Sequence, residues 1–359
     1  GVVFGARSPA ERSYKMASLL DHGFANLPPV AGYMEYTPTG EKPNTLAILQ
    51  TFVPNQGDAW KYTLNSLYQY FDRVLESPDL TPPKRPGGTL LELAGATIPE
   101  ATADRIGFYL ESSRLLADRT AEMHRALASE SVDPLFAPDS FSKLYQRSLF
   151  QSMSSLAGHV LAQFKKQLKQ MPEQVQETGK RVLARQEDIM ACFRLLTDHK
   201  ITAKRLRCHG DYHLGQVLYT GKDFVIIDFE GEPARPVSER RIKRSPLRDV
   251  AGMLRSFHYA VYSALFDEEE RGSFQADRRR EMETWAEDWR LWVCSEYLHT
   301  YLVRTEDAGF LPDSPEEIQV LLDAYLMEKA VYELGYEMNN RPDWVRIPLQ
   351  GIEQLLDTE

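Results

Sequence analysis

Apolar positions recur at two different spacings along this chain. From Ala59 to Ser77 ("AWKYTLNSLYQYFDRVLES") they return every three or four residues, the repeat that places them on one face of an α-helix. Similar patterning predicts helices over 103–128, 141–170, 175–196, 245–266, 278–304 and 314–338. Upstream, "SPAERSYKMASLLDHG" also reads as a helix, with Ser8 as N-cap, Pro9 at the first helical position and Gly23 as the stop. Two stretches, "VAGYMEYT" (30–37) and "TLAILQTFV" (45–53), read instead as antiparallel strands joined by the turn-rich "PTGEKPN". Thr81 to Gly88 is a loop. The patterning thus predicts a small strand-bearing N-terminal piece and a large helical body. Inside that body one strong β signal stands out. "GQVLYTGKDFVIID" predicts a hairpin, with strands over 217–219 and 224–227 and a turn at Thr220-Gly221-Lys222.

The hairpin changes the meaning of the residues around it. A hairpin brings its two ends together, so Asp211, His213 and Gln216 before the first strand come to face Asp228 and Glu230 after the second. Clustered carboxylates repel and persist when a cation compensates them. Hard oxygen donors with an amide suit Mg²⁺, and an Asp nearby has the chemistry to accept a hydroxyl proton. Those are the parts of phosphoryl transfer: a base, metal ions bridging phosphates, and positioning.

Composition narrows the partners. The chain has 359 residues and a net charge of −10, and its pI is about 5.4. An acidic surface argues against nucleic acid, which needs a basic face. No apolar run reaches the length of a membrane span. Three widely spaced cysteines, Cys192, Cys208 and Cys294, suggest neither a disulfide framework nor a zinc site, and point to a reducing, cytoplasmic setting.

"HGDYHLGQ" (209–216) and "IDFEGEP" (227–233) resemble the catalytic and metal-binding loops of the protein-kinase-like superfamily, in its aminoglycoside-phosphotransferase branch. Together with "ERRIKRSPLRDVAGMLRSF", "LQTFVPNQGDAWKYTL", "ADRTAEMHRALAS" and "KAVYELGYEMNNRPDWVRIPLQGI", the similarity extends to the maltokinase family, stand-alone or fused to trehalose synthase. It covers most of the chain from about residue 24 onward. The resemblance implies an α+β, bilobal kinase-like fold: a partial N-terminal lobe over 1–55 and a helical C-terminal lobe over 56–359. It implies ATP and Mg²⁺ as cofactors, maltose as acceptor, maltose 1-phosphate as product, and trehalose synthase as a fused or associated partner.

Residue by residue, the resemblance makes Asp211 the catalytic base and Gln216, Asp228 and Glu230 the metal site. Gln216 stands where the superfamily has Asn. It keeps the amide oxygen and adds one methylene. His209 and Asp249 become structural braces of the catalytic loop, and His213 either braces that loop or meets substrate. Glu232 is expected to face solvent or to pair with Arg235 or Arg240. Gln50, Phe52 and Val53 fall on the link between lobes beside the adenine, whose hydrogen bonds come from backbone groups.

Tyr332, Glu333, Tyr336, Glu337 and Arg341 fall where the resemblance implies a sugar site. Helical spacing puts the two tyrosines on one face and the two glutamates on another. The plain reading of that spacing is an aromatic core stripe with a solvated acidic face. The alternative is aromatic packing on pyranose rings, with carboxylates accepting from sugar hydroxyls.

The kinase plan also requires a glycine-rich phosphate loop, a strand Lys and a helix Glu. No such loop or strand Lys precedes the first helix. Glu11 is placed to match the helix Glu, and Lys15 shares its helix and so is not the strand Lys. The expectation is therefore a chain lacking most of its N-terminal lobe. Two other readings stay open: a non-catalytic module that binds maltose or nucleotide on trehalose synthase, and an aminoglycoside or small-alcohol kinase.

Overall fold

The computed structural model describes residues 2–3, 15–16, 18–37, 44–77, 80–129, 133–232 and 235–357. Ser8, Pro9 and Glu11 of the expected first helix, and the turn at 38–43, lie outside the described residues.

Three antiparallel strands form the N-terminal sheet: β1 (Val2–Val3), β2 (Val30–Tyr36) and β3 (Asn44–Gln50), in the order β1-β3-β2. Val2 pairs with Leu49, and Tyr33 with Ile48. The second expected strand ends at Gln50, so Phe52 and Val53 belong to the connection that follows.

That connection docks on the 217–226 hairpin. Strands β6 (Val217–Tyr219) and β7 (Phe224–Ile226) form the expected hairpin, the second strand one residue shorter, with Val217 opposite Ile226 and Tyr219 opposite Phe224. Two further short strands, β4 (Asp139–Ser140) and β5 (Lys204–Arg205), form a ladder that the apolar pattern did not predict. The amide of Gln56 donates to Tyr219 O (2.8 Å), and that of Tyr219 to Gly57 O (2.9 Å). On the other edge the Ile226 amide donates to Asn26 O (2.8 Å). Chain from both sides of the N-terminal sheet therefore clamps the hairpin.

The helical body follows the apolar spacing closely. Helix α1 (Ala59–Leu75) is capped by Asp58, whose carboxylate accepts from the Lys61 amide (2.8 Å), and buries Ala59, Thr63, Leu67, Tyr70, Phe71 and Val74. The expected 103–128 helix is broken at Gly107 (φ +68°), leaving α2 as Tyr109–Ala128. Helix α3 is Lys143–Gln167. The expected 175–196 helix is interrupted at Arg185 and resumes as α4 (Gln186–Asp198). Helices α5 (Leu247–Glu270), α6 (Arg279–Thr305) and α7 (Pro315–Asn340) follow, then α8 (Arg346–Leu356).

Helix α5 packs against α1, α6 and α7 and is buried along most of its length. A helix apolar or satisfied on every side is a core helix, and α5 carries the residues that tie the site to the body. The architecture is the α+β, kinase-like one, with a small N-terminal sheet and a large helical lobe.

Candidate active site

The loop 209–216 is held from below by one carboxylate. Asp249, in the first turn of α5, accepts from the amides of His209 (Oδ2, 2.7 Å) and Gly210 (Oδ1, 2.9 Å). His124 Nε2 lies 3.1 Å from the same Oδ2, and Tyr301 OH is 2.9 Å from His124 Nδ1. Burial works to raise the Asp249 pKa, but the hydrogen bond and charge of His124, with help from His209 and the Gly210 amide, hold it down to about 2. Asp249 is thus a buried, ionised brace.

His209 is equally fixed. Its Nε2 lies 2.8 Å from Ile227 O, which can only accept, so Nε2 carries the proton. Nδ1 then accepts from the Asp211 amide (3.4 Å). Burial lowers the His209 pKa and keeps the ring neutral. Lys15, 1% exposed, donates from Nζ to His209 O (3.4 Å), so this helix lysine braces the catalytic loop.

Asp211 sits at the mouth of that loop. Its carboxylate lies 3.9 Å from Lys329 Nζ and 3.9 Å from His213 Nε2. Burial is the main cause that raises its pKa, to about 7; Lys329 opposes the rise, and Glu232 and Asp228 add to it. A carboxylate tuned near neutrality suits proton acceptance at working pH. His213 is pushed down to about 4, first by burial and then by the Lys329 charge, so it is neutral. Its Nδ1 accepts from the Gly215 amide (3.1 Å).

The hairpin joins the other two groups. The Ile227 amide donates to Gln216 O (2.9 Å), and Gln216 Nε2 donates to Asp228 Oδ2 (3.1 Å). Asp228 has φ +61°, the one positive value outside glycine among the described residues. Asp is one of the few residues other than glycine that enters this region readily, and the conformation fixes where the Asp228 carboxylate leaves β7. Among the described residues no three His, Cys, Asp or Glu side chains converge as a cage. Mg²⁺ in phosphoryl transfer needs none, since one or two carboxylates suffice when phosphate oxygens and water complete the shell. The Gln216–Asp228 pair fits that requirement, with Glu230 half-buried two residues beyond.

Of the residues expected to flank a nucleotide, Gln50 closes β3 and donates to Met16 Sδ (3.1 Å). Phe52 is 73% exposed, and Val53 O accepts from Asn55 Nδ2 (2.9 Å). All three lie on the stretch that runs into β6.

A cavity of about 650 Å³ opens above Asp211, and it is lined by every side chain expected to meet substrate: Asp211, His213, Tyr332, Glu333, Tyr336, Glu337 and Arg341. The geometry reverses the plain reading of α7. Glu333 is 9% and Glu337 1% exposed, whereas Tyr336 is 47% exposed. The acidic face is the buried one, because each glutamate has a guanidinium. Arg255 Nε and Nη2 both donate to Glu333 Oε2 (2.9 and 2.7 Å). Arg341 donates to both oxygens of Glu337 (2.9 and 2.6 Å), and Tyr259 OH adds a third contact (3.3 Å). Glu337 therefore positions Arg341, whose guanidinium lies over Trp344 at 4.5 Å. Burial raises the Glu337 pKa against the pull of Arg341.

Several lining groups carried no signal in the sequence. Trp60, Tyr259 and Lys329 line the cavity from three different helices. Lys329 Nζ also lies 5.2 Å from the Tyr332 ring. Glu232 is a further lining group. It sits close enough to Asp211 and Tyr332 to raise both, the Tyr332 rise being due to burial first. Arg235 reaches Glu239 and Glu328 (3.5 Å each). No spacing rule predicts these, since they meet only when α1, α5 and α7 pack.

Comparison with known proteins bears on this geometry. Residues 97–232 match the model of the phosphotransferase enzyme family (APH). The glucosamine kinase of Streptacidiphilus jiangxiensis is 22% identical over 99% of this chain and 69% of its own length. The glucosamine kinase of Mycolicibacterium smegmatis is 30% identical over 50% of this chain, which covers 41% of that protein. A solved glucosamine kinase in complex with glucosamine, ADP and inorganic phosphate superposes with a TM-score of 0.72, at 21% identity, over 99% of this chain and 76% of the other. Among the described residues no helix is long and apolar enough to cross a membrane. The chain has the protein-kinase-like fold, and its segment 97–232 matches the APH phosphotransferase family.

Proposed function

We propose that this chain carries the catalytic base, metal site and acceptor site of an ATP-dependent sugar kinase that phosphorylates the anomeric hydroxyl of maltose. The observation that carries the reading is Asp211, with its pKa raised to about 7, at the floor of a cavity walled by aromatic rings and carboxylates. A hydroxyl seated against Asp211 is oriented and gives up its proton to that carboxylate as its oxygen bonds to the γ-phosphorus, while the bond from that phosphorus to the β,γ-bridging oxygen breaks and ADP leaves. Gln216 and Asp228, assisted by Glu230, would hold Mg²⁺, which supplies charge neutralisation on the nucleotide phosphates. Gln50, Phe52 and Val53 would flank the adenine. Lys329, beside Asp211, adds a positive charge where the transferred group would pass.

Maltose is favoured by the cavity's size and by the "YELGYEMNNRPDW" stretch that lines it. A second reading makes glucosamine the acceptor. It is supported by the two glucosamine kinases to which the chain is similar, and by Glu333, whose Oε1 has no hydrogen-bond partner among the described residues and would receive an ammonium group. Incubating the full-length protein with MgATP and each sugar, and comparing kcat/KM, separates them. Maltose 1-phosphate as the preferred product supports the first reading, and glucosamine phosphate the second. Calorimetric binding of maltose with neither MgATP binding nor turnover would support a non-catalytic module associated with trehalose synthase instead.

A further inference from the structure

A second cavity, of about 310 Å³, lies behind the acceptor site, between α4, α5, α6, α7, α8 and the loop at 85–90. Its wall is largely apolar, from residues such as Leu195, Leu254, Met327 and Leu355. Into this wall are set three guanidinium groups, Arg85, Arg255 and Arg290, against one carboxylate, Asp323, which already accepts from Gln319 (2.7 Å). Arg290 is engaged by Glu287 (2.6 Å).

Arg255 differs from the other two. It is 4% exposed, and Nε and Nη2 are both spent on Glu333 Oε2. Its Nη1 has no hydrogen-bond partner among the described residues and rests against Gly351, which lines the second cavity. One guanidinium therefore has its two inner donors on the acceptor-site carboxylate and its third turned to the second cavity. A second orphan lies close by. His258, 2% exposed, faces Gln354 Oε1 through Nε2 (3.2 Å), while Gln354 donates its own amide to Tyr262 OH (2.9 Å). His258 Nδ1 has no partner among the described residues. Of the two, Arg255 Nη1 is a donor that a ligand's anionic oxygen can engage at this apolar wall, whereas His258 Nδ1, its ring donating through Nε2 to Gln354 Oε1, is an acceptor and needs a donor.

We infer that this second cavity binds a small organic anion with an apolar body, and that its occupancy is transmitted to the acceptor site through Arg255 and Glu333. The carboxylate of such a ligand accepts from Arg255 Nη1, and its apolar body covers the leucine and methionine wall. Drawing the guanidinium toward the second cavity weakens its hold on Glu333 Oε2, so the acceptor site and the second cavity are coupled negatively. Linkage makes the effect reciprocal. Gly351 is part of the device. A Cβ there would overlap Arg255 Nη1, so an alanine displaces the guanidinium without any ligand.

The coupling, though not the cavity, rests on the acceptor-site reading, and the experiment separates the two. The full-length protein is titrated calorimetrically with 2-naphthoate, and with the uncharged 2-naphthalenemethanol as control. Expected are saturable binding of naphthoate, much weaker binding of the alcohol, and loss of naphthoate binding in Leu195→Trp. Leu195 is 36% exposed, so the indole fills the cavity from its rim and an unchanged melting temperature verifies the fold. Saturating naphthoate should weaken sugar binding by about five-fold or more. Gly351→Ala should weaken the sugar comparably on its own and abolish the response to naphthoate. No naphthoate binding, or binding indifferent to Leu195→Trp, overturns the site. Naphthoate binding with sugar affinity unchanged overturns the coupling. If neither sugar binds, the acceptor reading fails, and coupling is read from hydrogen exchange of the amides at 332–337, which naphthoate should accelerate.

Discussion

At the scale of single residues, the site separates groups that react from groups that hold. Asp211 is the reacting one in the proposed mechanism. Asp211→Asn removes the proton acceptor while keeping size and the backbone contacts of the loop. The expected result is a loss of about 10²- to 10⁴-fold in kcat with an unchanged melting temperature, read by a coupled ADP assay. Near-normal turnover of this variant would refute the assignment. Asp249 is the holding one. Its carboxyl is depressed from the usual 3.8 to about 2 in the folded protein. A depressed carboxylate contributes stability that is complete above its unfolded pKa and is lost as pH falls through the folded one. The contribution is about 2 kcal/mol, which should disappear between pH about 4 and pH about 2. Denaturant unfolding at pH 5 and pH 2.5 should show that loss in the native protein and a smaller one in Asp249→Asn, whose side chain no longer titrates.

At the scale of elements, spacing rules read the helices well and their faces poorly. The repeat over 314–338 placed α7 within two residues at each end, and Ser314 caps it by accepting from the Glu317 amide (3.2 Å). Ser314→Ala should cost about 1 kcal/mol, seen as a lower midpoint in urea with an unchanged slope. Which stripe of α7 faces inward was not legible. Glu333 and Glu337 read as solvated until Arg255 and Arg341, one of them 78 residues away, are seen beside them. The hairpin shows the opposite case. Its apolar run, turn residues and flanking acids all pointed to one arrangement, because turn chemistry is local. What locks it to the body is not local. Tyr62 of α1 stacks on Tyr219 at 4.1 Å and meets the Phe224 edge at 6.2 Å. Tyr62→Ala should cost about 2 kcal/mol and, by loosening the strands that carry Gln216 and Asp228, raise the Mg²⁺ concentration needed for half-maximal activity. Stability loss without any change in Mg²⁺ dependence would confine Tyr62 to packing.

At the scale of the whole molecule, the N-terminal sheet and the helical lobe meet at the hairpin, clamped by Asn26 and by the 56–58 link. A ligand that binds only the folded state stabilises it by mass action. MgATP at a hundred times its Kd should add about 2.7 kcal/mol, read as a rise in melting temperature that disappears in Asp228→Ala. No rise at any MgATP concentration would count against a nucleotide site on this chain.

The sequence by itself determined whatever depends on neighbours within a few residues. That includes the helix positions, the 217–226 hairpin, and the juxtaposition of Asp211 and Gln216 with Asp228. Tertiary structure alone decided which partner each charge has. It buried Glu333 and Glu337, turned Glu232 toward Asp211, and brought Lys329, Trp60 and Tyr259 into the same cavity. It also placed Arg255 between two cavities. The physical reason is range. Backbone propensity and apolar periodicity act over one or two turns, whereas the cost of burying a charge is settled by whichever residue the packing of distant helices delivers to it.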